Sequence, residues 1–233
     1  MDKIKNKRRR TGGQKPSVHR GLHTVAYGLA DLLDLVHTPA YVCRMIAADP
    51  KAKLGRPDWV LAALRALVRG GIGAVKVEAL AREIGATKGS FYWHFKNIGD
   101  LHQVMLELWE DIATHRITAA VQASGLDPKA QLMLLADMVS VRPGEAIGGI
   151  EIEPALRDWG RNDPRARAVL ERVDRQRLQD LVGFLRAAGV GEGELLPKAQ
   201  LIYAAVIGLE QLRLTTATEM GPPLRALVAQ LIE

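Results

Sequence analysis

The segment TKGSFYWHFK, residues 87–96, concentrates side chains suited to recognising another molecule by contact. Lysine and serine donate hydrogen bonds, while tyrosine, tryptophan and histidine present flat rings with a polar edge. Four of the six residues from Ser90 to Phe95 are Phe, Tyr or Trp, in a chain whose content of these residues is only 5%. The segment therefore predicts a recognition surface and not a reaction centre.

The residue types that perform covalent chemistry show no catalytic spacing elsewhere in the chain. The six histidines include no His-Glu-x-x-His pair, and the sequence has no phosphate-binding loop, no dinucleotide fingerprint and no nucleophile elbow. Cys43 is the only cysteine, which excludes an internal disulfide and a zinc-type cysteine pattern. We therefore predict that the protein is not an enzyme and has no catalytic residues, no metal site and no cofactor.

Positive charge is concentrated in the N-terminal quarter of the 233 residues. Residues 1–56 hold 12 Lys/Arg and 4 Asp/Glu, a net charge of +8, whereas the remainder has a net charge of −2. Such an arm attracts nucleic acid or another polyanion, and it is equally typical of a solvated tail. We expect residues 1–54 to be a basic, largely disordered extension. The alternative is that translation begins at Met45 and the first 44 residues are never made.

The chain lacks the patterns of a membrane or exported protein. No apolar run approaches the roughly 18–20 residues of a membrane span. The basic N-terminus has no apolar core followed by a cleavage site of small residues. With a single cysteine, which fits a reducing compartment, this predicts a cytoplasmic protein with no membrane partner.

Helical periodicity begins at Pro57. Apolar residues at positions i, i+1, i+4, i+7 and i+8 predict a first helix that ends at Gly70-Gly71. A second short helix occupies about residues 77–84, Thr87 caps a third, and Gly99-Asp100 opens a fourth whose apolar stripe reaches Ile112.

The second and third helices, with the turn at Gly85, form a helix-turn-helix at about residues 76–95. In such a unit the first helix braces the second, whose exposed N-terminal side chains enter the major groove of DNA. Phe91 and Phe95 lie four residues apart, so we expect them on the buried face of the third helix. Its polar residues then remain available to a partner.

Residues 74–101, AVKVEALAREIGATKGSFYWHFKNIGDL, resemble the helix-turn-helix of the TetR family of transcriptional repressors. The phrase Gly-x-x-Lys-Gly-Ser-x-Tyr-x-His-Phe carries the resemblance, which covers roughly residues 57–115. It implies an all-α fold, with a three-helix DNA-binding domain at 55–115 and a larger helical ligand-binding and dimerisation domain at 116–233. The implied function is a sequence-specific regulator, most often a ligand-responsive repressor that binds a palindromic operator as a homodimer.

The resemblance also implies which residues contact double-stranded DNA. Lys88 and Ser90 are the leading candidates for base edges or phosphates, and His94 and Lys96 are candidates for the phosphate backbone. The full set comprises Lys76, Thr87, Lys88, Gly89, Ser90, Tyr92, Trp93, His94 and Lys96.

Two positions depart from the family pattern, and three residues have alternative interpretations. Lys76 stands where Thr or Ser usually caps the second helix, and Ile98 stands where a lysine often precedes the acidic residue. Tyr92 could instead belong to the core, Trp93 could cover the surface of the first helix, and His94 could be a structural histidine.

The rest of the chain also predicts helices, with no strand and no repeat. We expect helices at about 128–141, 153–160, 164–188, 197–217 and 222–232, and a loop or weak helix at 142–151.

By resemblance, the last two helices pair with their counterparts in a homodimer; the alternative is that their apolar stripes complete the monomer core. An unknown small-molecule effector is expected in a pocket for which the candidate residues are Met105, Leu108, Trp109, Met133, Met138 and Trp159. For each of these, ordinary core packing is the alternative.

A rival to the regulator is a protein that packages DNA non-specifically through its basic arm. That function predicts an affinity that depends steeply on salt and little on sequence.

Overall fold

The computed structural model describes residues 54–140 and 152–233, and within these ranges every regular element is a helix. The all-α fold is therefore confirmed. The expectations for the N-terminal extension, the start at Met45 and the segment 142–151 fall on residues outside the described ranges. None of the described helices is long and apolar enough to cross a membrane.

The first three helices form where the sequence predicts them. Helix α1 spans Arg56–Gly70, a 3-10 turn covers Ile72–Ala74, α2 spans Val77–Glu83 and α3 spans Lys88–His94. Gly71 and Gly85 have φ of 66° and 68°, in the left-handed region that side chains with a Cβ avoid. These two glycines end α1 and α2 as expected.

The next helix is longer than the sequence indicates. Helix α4 spans Ile98–Glu110 and continues through a π-helical turn, Asp111–Arg116, into α5 at Ile117–Ala123. It opens at Asn97, whose side chain accepts a hydrogen bond from the amide of Asp100 at 3.0 Å. Assigning the start to Gly99-Asp100 was wrong because an asparagine side chain satisfies the first free amides better than a glycine can.

The remaining helices follow the prediction with shifted ends. They are α6 at Pro128–Ser140, α7 at Ile152–Asn162, α8 at Pro164–Ala187, α9 at Leu195–Thr215 and α10 at Gly221–Leu231. Asp163 caps α8 by accepting a hydrogen bond from the amide of Arg165 at 2.8 Å. Helices α9 and α10 begin before their prolines because the first turn of a helix tolerates proline.

The buried residues form two clusters that do not separate at residue 115. The first cluster joins α1–α4 with α7 and the N-terminal half of α8, through residues such as Leu156 and Val169. The second joins α5, α6, α9 and α10 with the C-terminal half of α8, through residues such as Phe184. The 24-residue α8 therefore packs against both clusters, and the core beneath the helix-turn-helix extends past the boundary expected at 115.

Candidate functional site

Helix α3 is anchored by its two phenylalanines. Phe91 is fully buried and Phe95 is 2% exposed. The Phe91 ring meets the ring of Trp59 on α1 edge-on, with centroids 5.2 Å apart, and stacks on Phe95 at the same distance. Aromatic contacts of this kind favour one orientation of the rings, so α3 is positioned firmly on α1.

The other two aromatic residues of α3 project outward. Trp93 is 88% exposed and Tyr92 is 53% exposed. The alternatives that place Tyr92 in the core and lay Trp93 over α1 are therefore wrong. Exposure of two large rings on one short helix leaves them free to contact a partner.

The polar end of α3 is built by Thr87. Its hydroxyl oxygen accepts a hydrogen bond from the amide of Ser90 at 3.2 Å, as the sequence predicts. Lys88 and Gly89 are exposed and Ser90 is half-buried on this first turn. A Cβ at Gly89 would meet only the Thr87 hydroxyl, at an ordinary 3.7 Å, so the fold itself does not require glycine there.

Lys88 forms an ion pair across the helix-turn-helix. Its ammonium donates a hydrogen bond to the Glu78 carboxylate on α2, and both side chains are more than half exposed. This bond raises the pKa of Lys88 and lowers the pKa of Glu78. Because the pair is exposed to solvent, Lys88 can exchange this partner for another at little cost.

The remaining DNA-contact candidates lie around the same surface. Lys76 is exposed before α2 and provides no side-chain cap, in keeping with the loss of the usual threonine or serine. His94 is half-buried at the end of α3, and Lys96 is exposed in the following turn. The contact that Lys96 makes with the Asp100 carboxylate, at 3.2 Å, is through its backbone amide and does not involve the ammonium group.

A second ion-pair group ties α2 to α1. The Glu83 carboxylate accepts hydrogen bonds from Arg65, at 2.9 Å, and from Arg69. Burial opposes ionisation of Glu83, but the two guanidinium groups outweigh it and lower its pKa. The sequence analysis did not identify this group, although its residues lie on facing helices.

A cavity of about 160 Å³ lies in the C-terminal half, among α4 to α10. Leu108, Trp109 and Met138 line it, as expected of an effector pocket. Met105, Trp159 and Met133 do not line it. Met105 and Trp159 are buried in the first cluster, and Met133 is packed against the second. For these three residues, core packing is the correct interpretation.

The cavity wall is mostly apolar but carries charged residues that the sequence analysis missed. Those lining it are Glu153, Arg177, Asp180, Glu210 and Arg213. The sequence signal that could have identified them is a charged residue within an otherwise apolar helical stripe, as at Glu210 and Arg213 of α9. The charge-rich segment 156–181 is predicted from its spacing to be mostly a solvated face, and Arg177 contradicts that interpretation in part.

Arg177 is almost fully engaged by protein groups. It donates to both carboxylate oxygens of Glu153, at 2.8 and 3.0 Å, and to the Tyr203 hydroxyl at 3.2 Å. It also donates to the carbonyl of Ala113, at 3.2 Å, within the π-helical turn. Burial would raise the pKa of Glu153, but the charges of Arg177 and Arg157 outweigh it and lower that pKa.

Glu210 is in a different electrostatic position. No hydrogen bond or ion pair reaches its carboxyl from any residue in 54–140 or 152–233. Burial and, next, the negative charge of Glu153 raise the pKa of Glu210 to about 7. The cavity therefore contains a carboxyl group that lacks a partner within the described ranges and ionises near neutral pH.

The cavity also touches the first cluster, which lies beneath the helix-turn-helix. Leu64 of α1, which is 1% exposed, lines it, and so does Trp109 of α4, a member of the first cluster. A molecule in the cavity would therefore press directly on the helix against which α3 is anchored.

Comparison with known proteins supports the resemblance over the N-terminal helices. Residues 60–104 match the family model described as "Bacterial regulatory proteins, tetR family". The "Probable HTH-type transcriptional regulator ArpR" of Pseudomonas putida is 31% identical over 78 residues, and the "HTH-type transcriptional regulator TtgR" of the same species is 30% identical over the same length. Each match covers 34% of this chain and 37% of the relative, so the aligned segment spans about a third of either curated protein.

Solved structures share the fold over most of the chain. A transcriptional regulator of Saccharomonospora viridis, solved in complex with choline, superposes with a TM-score of 0.64 at 19% identity, over 76% of this chain and 94% of that one. A TetR-family regulator of Rhodococcus sp. superposes with a TM-score of 0.59 at 19% identity, over 76% and 98%. The resemblance to the TetR family and the two-part helical fold are thereby confirmed.

Proposed function

We propose that this chain, whose N-terminal helices resemble those of the TetR family, is a sequence-specific transcriptional regulator that represses by binding a palindromic operator as a homodimer. A small molecule in the C-terminal cavity would release the DNA. We assign the protein to the cytoplasm, where the DNA and such an effector are both accessible.

The observation that carries the proposal is that one face of α3 is buried against α1 while the other face is exposed. Phe91 and Phe95 hold the helix on α1, while Tyr92, Trp93 and the first turn face outward. A helix held this way presents a fixed set of donors and rings, which is what reading base edges in the major groove requires. Lys88 would donate to guanine O6 and N7, and Tyr92 or Trp93 would pack on a thymine methyl.

An exposed stripe on α9 supports a twofold assembly. Leu201 and Leu212 are 55% and 50% exposed, and Ala204 and Gly208 are exposed between them. The spacing puts all four on one face, where small residues between leucines allow a second helix to approach closely. The opposite face of α9 is buried in the second cluster, so the alternative that α9 only completes the monomer core does not account for this stripe.

The cavity supports ligand control. Its contact with Leu64 and Trp109 provides a route by which an occupant can shift α1 and α4, and a coupling of about 1–3 kcal/mol is typical of such regulation. The S. viridis neighbour, which was solved with choline, gives independent support that this fold holds small molecules.

Selection of bound genomic fragments by the purified protein tests the proposal. We expect a short palindrome whose half-sites lie one helical turn, about 34–36 Å, or a multiple of it apart. Equal retention of all fragments, with a steep dependence on salt, would instead support packaging by the basic arm. A protein that stays monomeric on its selected DNA would contradict the twofold mechanism.

A further inference from the structure

Among the described residues, two acidic groups of the cavity wall, Glu210 and Asp180, make no ion pair, whereas Glu153 is paired with arginines. Arg177 donates four hydrogen bonds, two to Glu153, one to Tyr203 and one to Ala113. Arg157, behind the wall, donates to Glu153 at 2.7 Å and to Asp174 at 2.8 Å. These two arginines therefore neutralise Glu153 and Asp174 and make no ion pair with Glu210.

The second acidic group of the wall is satisfied by neutral donors. Asp180 accepts hydrogen bonds from the Thr118 hydroxyl at 2.7 Å and from the Gln176 amide at 2.8 Å. Neutral donors hold its oxygens in place without cancelling its charge. The negative charge of Asp180 thus remains beside the cavity, together with that of Glu210 when ionised.

The two arginines of the wall already contact protein groups, so an anion would gain few hydrogen bonds from them. Arg177 lies over the rings of Trp109 and Tyr203, at 5.9 and 5.7 Å from their centroids, and its polar edge is occupied as described. Arg213 donates to the carbonyl of Ser140 at 3.3 Å and makes further interactions. An anionic ligand would have to break these contacts, whereas a cation finds a carboxyl to which no described residue donates.

The rest of the wall suits an apolar body. Side chains from several helices, such as Leu108, Leu132, Phe184 and Val206, face the cavity. Burying apolar groups against such side chains is favourable in proportion to the area removed from water. A ligand that matches the wall therefore combines an apolar body with one positive charge.

We propose that the cavity binds a monocationic amphipathic molecule, such as a quaternary or protonated amine with an apolar body, and that the Glu210 carboxylate neutralises its charge. This rests on the ligand-responsive half of the proposed function and adds the chemical class of the effector. Because Glu210 titrates near neutral pH, binding of a cation would hold it ionised.

A pair of isosteric probes tests the charge preference. Phenyltrimethylammonium and tert-butylbenzene differ in one central atom, nitrogen or carbon, and so differ in charge with nearly the same shape. Calorimetry on the DNA-free full chain should give a dissociation constant about tenfold lower for the cation at pH 8, the effect of one desolvated charge pair. Phenylacetate serves as the anionic probe and should bind most weakly.

The Glu210→Gln variant tests whether the Glu210 carboxyl causes the preference for the cationic probe. It should bind the two isosteric probes with equal affinity, while tert-butylbenzene binds as it does to the unaltered protein. Glu219→Gln, at an exposed position before α10, is the matched control and should keep the tenfold preference. Retention of the preference in Glu210→Gln would overturn the role of Glu210.

The remaining outcomes separate this inference from the proposed function. Tighter binding of phenylacetate, or no binding of any probe, overturns the inference. Operator binding, measured separately on the same protein, still tests the proposed function. Binding of the cation with the expected preference, but without release of the selected operator fragment, supports the inference and removes ligand control from the proposed function.

Discussion

Individual side chains of the helix-turn-helix are either buried, as are Phe91 and Phe95, or exposed, as are Tyr92 and Trp93. The burial of Phe91 and Phe95 follows from their four-residue spacing and is confirmed. The roles of Lys88, Ser90 and Trp93 on DNA stay predictions, because they depend on a partner. Lys88 forms an ion pair with Glu78, and the proposed contact of Lys88 with DNA requires that this pair breaks.

Replacing Lys88 and Lys96 separately distinguishes base reading from phosphate contact. We expect Lys88→Ala to lower the preference for the operator over random DNA by about tenfold, because it removes a base-edge donor. We expect Lys96→Ala to weaken all DNA alike and to lower the salt slope by about one unit. Fluorescence anisotropy at several salt concentrations measures both. Lys129→Ala, exposed at the start of α6, is the control, and equal effects of Lys88→Ala on both DNAs would contradict its role.

Glu210 should make stability depend on pH. Its pKa is raised to about 7 from an ordinary 4.5, so the folded state binds a proton that the unfolded state has released between these values. The stabilisation is complete below about pH 4.5 and is lost as the pH rises through 7. We expect the unaltered protein to lose about 2 kcal/mol more than Glu210→Gln between pH 5 and pH 8.

Denaturant titrations at the two pH values measure this loss. Among the described residues, the charged groups that act most strongly on Glu210 are Glu153 and Arg157 on α7, Arg177 on α8 and Arg213 on α9. Burial opposes the charge of Glu153, but Arg177 and Arg157 lower its pKa. Because an arginine keeps its charge throughout this range, none of these groups titrates in this window. Identical pH profiles for the two proteins would show that Glu210 ionises normally.

At the scale of elements, the turn between α2 and α3 determines how α3 is presented. Gly85 has φ of 68°, and no neighbouring atom lies within 4 Å of the position that a Cβ would occupy, so the constraint comes from the backbone and not from crowding. Residues with a Cβ cost roughly 1–2 kcal/mol in that region. The glycine was identified from the sequence because the turn after a helix commonly needs this conformation.

Gly85→Ala should destabilise the protein by about 1 kcal/mol and weaken operator binding. The matched control is Gly73→Ala, since Gly73 also has open space around a Cβ but an ordinary φ. Thermal melts and operator titrations of both variants provide the measurement. Equal stability of the two variants would mean that the turn relaxes freely.

The Glu153–Arg177 pair links three elements: α7, α8 and, through Tyr203, α9. Removing one member of a buried ion pair costs about 3–5 kcal/mol when the other charge is left uncompensated. Without Arg177, the buried Glu153 keeps its ion pair with Arg157, so we expect a cost at the lower end of this range. We expect Arg177→Met alone to destabilise the protein by about 3 kcal/mol, and the double variant Glu153→Leu, Arg177→Met to be less destabilised.

Urea unfolding of the single and double variants measures that coupling. Arg186→Met, which removes an exposed pair with Glu192, is the control and should leave stability nearly unchanged. Strictly additive effects of the two cavity substitutions would show that the pair is not a unit.

At the scale of the whole molecule, the proposed palindromic operator requires two copies of the helix-turn-helix, and one chain supplies one of them. The exposed stripe of α9 is the surface that we assign to the twofold contact. Leu201→Glu combined with Leu212→Glu should convert a dimer into monomers, because two carboxylates would be buried unpaired in the interface. Monomer stability should hardly change, since both leucines are half exposed.

Sedimentation velocity and operator titration measure the two consequences together. Loss of the dimer should reduce operator affinity by at least about tenfold, because each half-site then binds alone. Gln179→Glu, exposed on α8, is the control for added charge. A doubly substituted protein that remains dimeric would place the twofold contact elsewhere.

Most of the helical layout was determined by the sequence alone. The signals that mark these helices are local: the apolar periodicity, the caps at Thr87 and Asp163, and the glycines at 71, 85 and 189. Each acts through hydrogen bonds or φ preferences within a few residues of the chain. The exposed surface of α3 was also accessible to sequence reasoning, because a short helix and its turn carry it.

Only the tertiary structure decided the composition of the cavity and the division of the core. Glu153, Arg177 and Glu210 lie on three helices that are far apart in the chain, and no local pattern brings them together. Met105 and Trp159 looked like pocket residues because apolar side chains have the same periodicity whether they face a core or a cavity. Which of these a helix faces depends on how neighbouring helices pack, and that information is not local.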